Sequence, residues 1–301
     1  MSIVGSTPVA TLQWLMERFQ PISLGQLNAR AEMLRRRDNK YVVRKDVLEQ
    51  VLVGLASHFD ILEIDGRRVF TYETCYFDDI ERTNYFDHHR HRRQRCKVRI
   101  RRYTDADLCF VEVKLKGKRD ATIKRRLVYS SSKYGVLDES ARAYIRASYQ
   151  GLYGRAFDRA LEPVIHMQYQ RMTLVAKHDH ERMTIDCALV FKGPSGTRGV
   201  DEDVFIVETK SANGNGIADK VLRAFHQHPT RRCSKYCVAM AALRQVAKHN
   251  NFLVALRKLD VVPSPVAGHG AAENGVIRPN APAIVPTVAS PTDINFALKR
   301  T

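Results

Sequence analysis

Polar and apolar residues alternate through the stretch Arg95 to Lys116, and this stretch organises the chain. Arg95, Lys97, Arg99, Arg101 and Tyr103 share one face of a predicted strand, with Cys96, Val98 and Ile100 on the other. After a turn at Thr104 to Asp107 the pattern resumes, placing Glu112, Lys114 and Lys116 opposite Val111, Val113 and Leu115. A third run, Thr122 to Tyr129, carries Lys124 and Arg126 at the same two-residue spacing. One such strand would be an ordinary solvated sheet face. Three in succession with nearly all polar positions cationic are different, because facing cations repel unless an anion lies between them.

The rest of the chain divides by its periods. Leu12, Leu15, Met16 and Phe19 fall at helical spacing, Pro21 interrupts, and Leu24, Leu27, Ala31 and Leu34 resume it. A short strand at Lys40 to Val43, a helix from Asp46 to Phe59 and a strand from Val69 to Asp78 precede the cationic stretch. Helix is predicted over 133–162, then strands over Ile165 to Lys177 and Arg182 to Phe191. Arg171 and Thr173 share a face on the first, and Arg182, Thr184 and Asp186 on the second. Gly193 to Gly199 reads as a loop, Asp203 to Lys210 as a strand with Glu208 and Lys210 on one face, and Ala218 to His226 as a short helix. Ser234 to Tyr236 opens an expected last strand, and Ala241 to Leu259 an expected closing helix. From Val262 to Pro291 six of the eleven prolines occur, Arg278 is the only Lys or Arg, and no period survives. The expected organisation is an N-terminal helical segment at 1–38, a domain at 39–260 and a disordered Pro/Ala-rich tail at 261–301.

With 301 residues the chain can bury a substantial core. A net charge of +17 points to an anionic partner, whether nucleic acid, phosphorylated metabolite, polyphosphate or membrane surface. The histidines of Arg82 to Arg93, at 88, 89 and 91, lack a familiar ligand spacing, so an exposed basic segment is expected there. The six cysteines form no CxxC pair and read as reduced, structural residues. Without an apolar run of 18 residues or an N-terminal leader pattern, a soluble cytoplasmic protein is expected.

The ordered blocks KYVV, TYETCYFDD, RCKVRIRRY, FVEVKLK, TIKRR, VDEDVFIVETK and CSKYCVAM, spanning Lys40 to Met240, closely resemble the VTC domain, the catalytic domain of polyphosphate polymerases. The resemblance implies an α+β fold of the CYTH-like triphosphate tunnel superfamily: a closed antiparallel β-tunnel with charged side chains inward and helices outside. It also implies a set of phosphate-binding residues: Lys40, Arg99, Arg101, Lys114, Lys124, Arg126, Arg171, Arg182, Ser234 and Lys235, to which the cationic face of the first alternating strand adds Lys97. Arg99, Arg101, Lys114, Lys124 and Glu208 would be catalytic, with Glu208 and Glu112 holding a divalent Mn²⁺ or Mg²⁺ ion. The first strand, Asp38-Asn39-Lys40-Tyr41, lacks the Glu-x-Glu-x-Lys motif common elsewhere in the superfamily, so one metal ion is expected.

The activity so implied is transfer of the γ-phosphate of ATP to a growing inorganic polyphosphate chain. A tunnel triphosphatase and a non-catalytic module for polyphosphate or inositol phosphates remain alternatives. Nucleic acid is not expected as partner, since the chain lacks aromatic ribonucleoprotein patterns and helix-turn-helix spacing. Oligomeric state and a membrane-protein partner are left open.

Overall fold

The computed structural model describes residues 12–30, 36–118 and 121–263; the expected tail lies outside them except for its first three residues. Its centre is a mixed but mainly antiparallel sheet of 12 strands. Eight strands form the curved wall that matters here, in spatial order β2 (Arg37–Arg44), β11 (Val204–Ser211), β9 (Arg182–Gly193), β8 (Glu162–Ala176), β4 (Phe70–Asp78), β5 (Cys96–Tyr103), β6 (Leu108–Lys116) and β7 (Thr122–Tyr129). All seven junctions are antiparallel. No ladder joins β7 to β2 among the described residues, so the expected closed tunnel is, by its hydrogen bonds, an open sheet. Its two limbs nevertheless face one another, with Lys114 of β6 in the field of Glu208 on β11.

The four remaining strands are short: β1 (Gln20–Ile22), β3 (Phe59–Leu62), β10 (Gly196–Val200) and β12 (Val261–Pro263). They correct three sequence expectations. The N-terminal segment is not purely helical, because β1 separates α1 (Gln13–Met16) from α2 (Leu24–Arg30) and β2 already begins at Arg37. The Gly-rich loop at 193–199 folds back as β10 against β9, and the first residues of the expected tail form β12 against β10.

Helices cover the outer face. α5 (Glu139–Tyr153) lays Ala141 and Ile145 on Val98, Ile100, Val111 and Val113, the apolar halves of β5 and β6. It starts at Asp138, whose carboxylate accepts from the Ala141 amide, and ends at Gly154 in the left-handed region, so the helix is shorter than the expected 133–162. Full burial of each such aliphatic side chain stabilises by about 1.5–3 kcal/mol. α3 (Lys45–Leu55) and α6 (Ile217–Ala224) cover β2 and β11 in the same way. There Asp219 of α6 accepts from Asn39, Tyr41 and Thr209. Those residues alternate with Lys40, Glu208 and Lys210, so locking the outer positions sets the inner ones.

The largest departure concerns Ser234 to Tyr236, expected to open a strand. They begin α7 (Lys235–Ala242), with Ser234 as its N-cap. Tyr236 to Ala241 are all buried, and a short segment apolar on every side hides its period. The expected closing helix is likewise broken, α8 being only Leu253–Leu259. α7 and α8 pack onto the inner face of the wall at one end, against Val42, Ile165, Leu189, Phe191 and Ile206. The inner face is therefore apolar and plugged at one end, and charged along the rest. α4 (Thr83–His89) supports the plug; it replaces the expected exposed basic segment, with Tyr85 and His89 buried against Phe252. All six cysteines are buried and free, as expected. No described helix is long and apolar enough to cross a membrane.

Candidate active site

Strand register carries the expected phosphate-binding residues to one face. Moving outward from the plug, Lys97, Lys114 and Lys124 stand side by side on β5, β6 and β7. The next row holds Tyr76, Arg99, Glu112 and Arg126, and the one after it Thr74, Arg101, Phe110 and Val128. On the opposite limb Arg171 faces Asp186, Lys210 faces Arg182, and Lys40 faces Glu208. Ser234 and Lys235 reach the same space from the plug: Lys97 Nζ donates to Ser234 Oγ at 2.9 Å, and Lys235 donates to Asp186. Two-residue periodicity thus suffices to place every strand residue of the expected set.

Periodicity did not show how these charges pair. Glu112, with no exposed surface, accepts from Arg99 Nε at 2.6 Å, from Arg126 Nε at 2.8 Å and lies 3.0 Å from Lys124 Nζ. Asp186 holds Arg171 bidentately, at 2.5 and 2.8 Å, besides Lys235. Glu208 Oε1 is shared by Lys40, at 3.2 Å, and Lys210. Burial alone would raise the pKa of each carboxyl, but the cations reverse it. Arg99, Arg101 and Lys124 hold Glu112 well below the usual carboxylate range, as Lys40, Lys210 and Lys114 do Glu208. Arg171 and Lys235 bring Asp186 down to about 2.

Lys97, Arg101, Lys114 and Arg182 are left over: none makes an ion pair with a carboxylate among the described residues. Arg101 is 6% exposed, donates to Thr74 Oγ1 at a long 3.4 Å and lies over the rings of Tyr72 and Tyr169. The repulsion of Arg99, then burial, drives the Lys114 pKa well below 10.5. Burial, then the neighbouring arginines, does the same to Lys124, and burial lowers Lys97. Arg182 Nε, Thr184 Oγ1 and Tyr169 Oη are buried without a hydrogen-bond partner. Buried polar groups are nearly always satisfied, so orphaned donors beside excess cations leave a place whose chemistry suits anionic oxygens.

Arg99 and Arg101 therefore differ, although their spacing makes them equivalent. Arg99 is tied to Glu112 and to Tyr76 Oη, whereas the Arg101 guanidinium is available. Also missed were Asp186 and Lys210 as partners within the site. Both share the alternating faces of Arg182 and Glu208, the signal that could have included them.

The plug is held by Asp78, fully buried, which accepts from the amides of Asn84 and Tyr85 and from Tyr236 Oη. Tyr236→Phe should destabilise the fold by about 1.5–3 kcal/mol by leaving that carboxylate short of a donor. A lower denaturant midpoint, with an unchanged slope, is the expected reading; an unaltered midpoint would mean that this bond does not anchor α7.

Among known proteins, the structure resembles a candidate adenylate cyclase from Bacillus halodurans, at 11% identity and TM-score 0.41, over 66% of this chain and 95% of that one. It also resembles a candidate adenylyl cyclase from Hippeastrum with a dominant triphosphatase activity, at 12% identity and TM-score 0.40, over 68% and 96%. No curated protein sequence matches the chain significantly. The family model of the VTC domain, however, matches residues 35–244, from just before β2 to just past α7. The chain belongs to the VTC domain family.

Proposed function

We propose that this protein transfers the terminal phosphoryl group of ATP to inorganic polyphosphate on the inner face of its curved sheet. The observation that carries the reading is the row Lys97-Lys114-Lys124, together with Arg101 farther out on β5 and Arg182 on the opposite limb, neither of which has an ion pair among the described residues. Like charges directly opposite one another destabilise a sheet. A chain of phosphates would neutralise this row continuously, where a single small anion would satisfy only one position. Phosphoryl transfer asks mainly for positioning and for stabilisation of charge on the phosphoryl oxygens, which Arg and Lys supply.

Transfer to phosphate fits the inner face better than hydrolysis. A terminal phosphate is already an anionic nucleophile, whereas water needs a base to take its proton. Glu112, Asp186 and Glu208 are all cation-bound with lowered pKa, which makes each a poor base. Purified protein given ATP, a divalent ion and a short polyphosphate should lengthen that chain and release ADP. Orthophosphate as the sole new product would instead establish a triphosphatase, and no turnover a binding module.

A Mg²⁺ or Mn²⁺ ion fits only with help from substrate. Among the described residues no three His, Cys, Asp or Glu side chains stand together, and Glu112 is engaged by three cations. Such ions commonly take one or two carboxylates plus substrate phosphates, so Glu208 alone would hold the ion once phosphate is present. The bound ion would supply Lewis-acid stabilisation of phosphoryl charge. Lys40 and Lys210 keep Glu208 ionised meanwhile, with Lys114 adding to the field.

Binding should also move protons. In the free protein Lys114 and Lys124 lose their protons below the ordinary lysine range, and a bound polyanion restores their affinity. Tripolyphosphate binding at alkaline pH should therefore take up protons and weaken as pH rises through the lowered pKa values. Calorimetry in buffers of different ionisation enthalpy reads the uptake; heats independent of buffer would contradict it.

A further inference from the structure

The cationic wall ends in an apolar lip. Outward along β5 the inner positions run Lys97, Arg99, Arg101 and then Tyr103; along β6 they run Lys114, Glu112, Phe110 and Leu108. On β7 Lys124 and Arg126 give way to Val128, which is 63% exposed, and Leu108 is 40% exposed. Phe110 is only half-buried; Tyr103 stands edge-on to it at 5.9 Å between centroids, and the Arg126 guanidinium lies over its ring at 5.5 Å. Inorganic polyphosphate has no apolar surface to cover such a lip, and its oxygens gain nothing from Phe110, Leu108 or Val128.

From this juxtaposition we infer that the lip formed by Tyr103, Phe110 and Val128 is a nucleoside subsite, which seats the base of a nucleoside triphosphate whose phosphates run inward along Arg101 and Arg99 toward the lysine row. Lys97 and Tyr103 are six strand positions apart, about 20 Å, which accommodates an extended nucleotide with its two ends in different chemistry. Aromatic rings and guanidinium planes stack bases of any identity, since every base has a π-face. Arg126 joins the two regions, one edge on Glu112 and one face on Phe110. The inference rests on the proposed reading of the inner face as a phosphate site.

Two probes separate the lip from that site: ATP, which carries a base, and inorganic tripolyphosphate, which does not. Phe110→Ala should weaken ATP binding roughly tenfold and leave tripolyphosphate binding within about twofold, the size expected for one lost stacking contact. Phe110→Trp should hold or improve ATP affinity, and the new indole should be quenched by ATP and not by tripolyphosphate. Equal losses for both probes, or none for either, would overturn the subsite while leaving the phosphate site standing. Wild-type protein that binds neither probe would instead overturn the phosphate reading, and the subsite with it.

Discussion

Lys114→Met is expected to remove most turnover and at the same time to make the free protein more stable. Lys114 has no ion pair among the described residues, stands between Lys97 and Lys124, and is driven toward its neutral form first by Arg99 and then by burial. Methionine keeps the length and apolar stem while removing the repulsion, which should raise the unfolding free energy by about 0.5–1 kcal/mol. Loss of a charged hydrogen bond to phosphate costs about 1.5–3 kcal/mol, so kcat/KM should fall roughly 10- to 100-fold. The sign of the pH dependence is fixed as well. The folded pKa of Lys114 lies below its unfolded value of 10.5, so in the interval between them the unfolded chain binds more protons and stability rises with pH. The advantage of the variant is therefore largest below the folded pKa and shrinks as pH climbs toward the unfolded one. Denaturant titrations of both proteins across that range, beside ATP turnover, make the comparison. A variant that is less stable and less active together would assign Lys114 a structural role.

Alternation alone brought the cationic residues to one face, because a period of two admits only two faces and one was unmistakably apolar. It could not say which cations would be neutralised. Arg99 and Arg101 are indistinguishable by spacing, yet Glu112 on the neighbouring strand meets only one of them, a consequence of β5–β6 register that no single strand encodes. Tyr76 and Tyr169 are similar cases: alternation did not single them out, and both flank the arginines. The plug was illegible for another reason. The Tyr236 to Ala241 run is buried on all sides, so its helical period carries no contrast. Its position on the inner face depends on contacts with Val42, Phe191 and Ile206, which are far away in sequence. The β7–β2 ladder, absent among the described residues, belongs with these, since alternation predicts strands and faces but not closure.

Glu208→Gln should separate anion binding from turnover. Glu208 already has one role, as the counter-ion of Lys40 and Lys210, with Lys114 adding to its field. If that were its whole role, the amide would release the lysines to shift and repel, and binding and turnover would decline together and respond alike to metal. A carboxylate that completes its ion's shell with substrate phosphate behaves otherwise. The variant then has one negative charge fewer facing a polyanion, so tripolyphosphate should bind as well or better in metal-free buffer. Turnover should still collapse, by roughly 100-fold or more if phosphoryl charge loses several kcal/mol of stabilisation, and excess Mg²⁺ or Mn²⁺ should restore it only in part. Lys40 and Lys210 should both lose proton affinity, because Glu208 is the main group raising it, so the gain in metal-free binding should fade as pH rises. Metal-free binding measured against pH, set beside metal-dependent turnover in this one variant, distinguishes the two roles. Parallel loss of both would leave Glu208 as a counter-ion and remove the proposed metal ligand from the site.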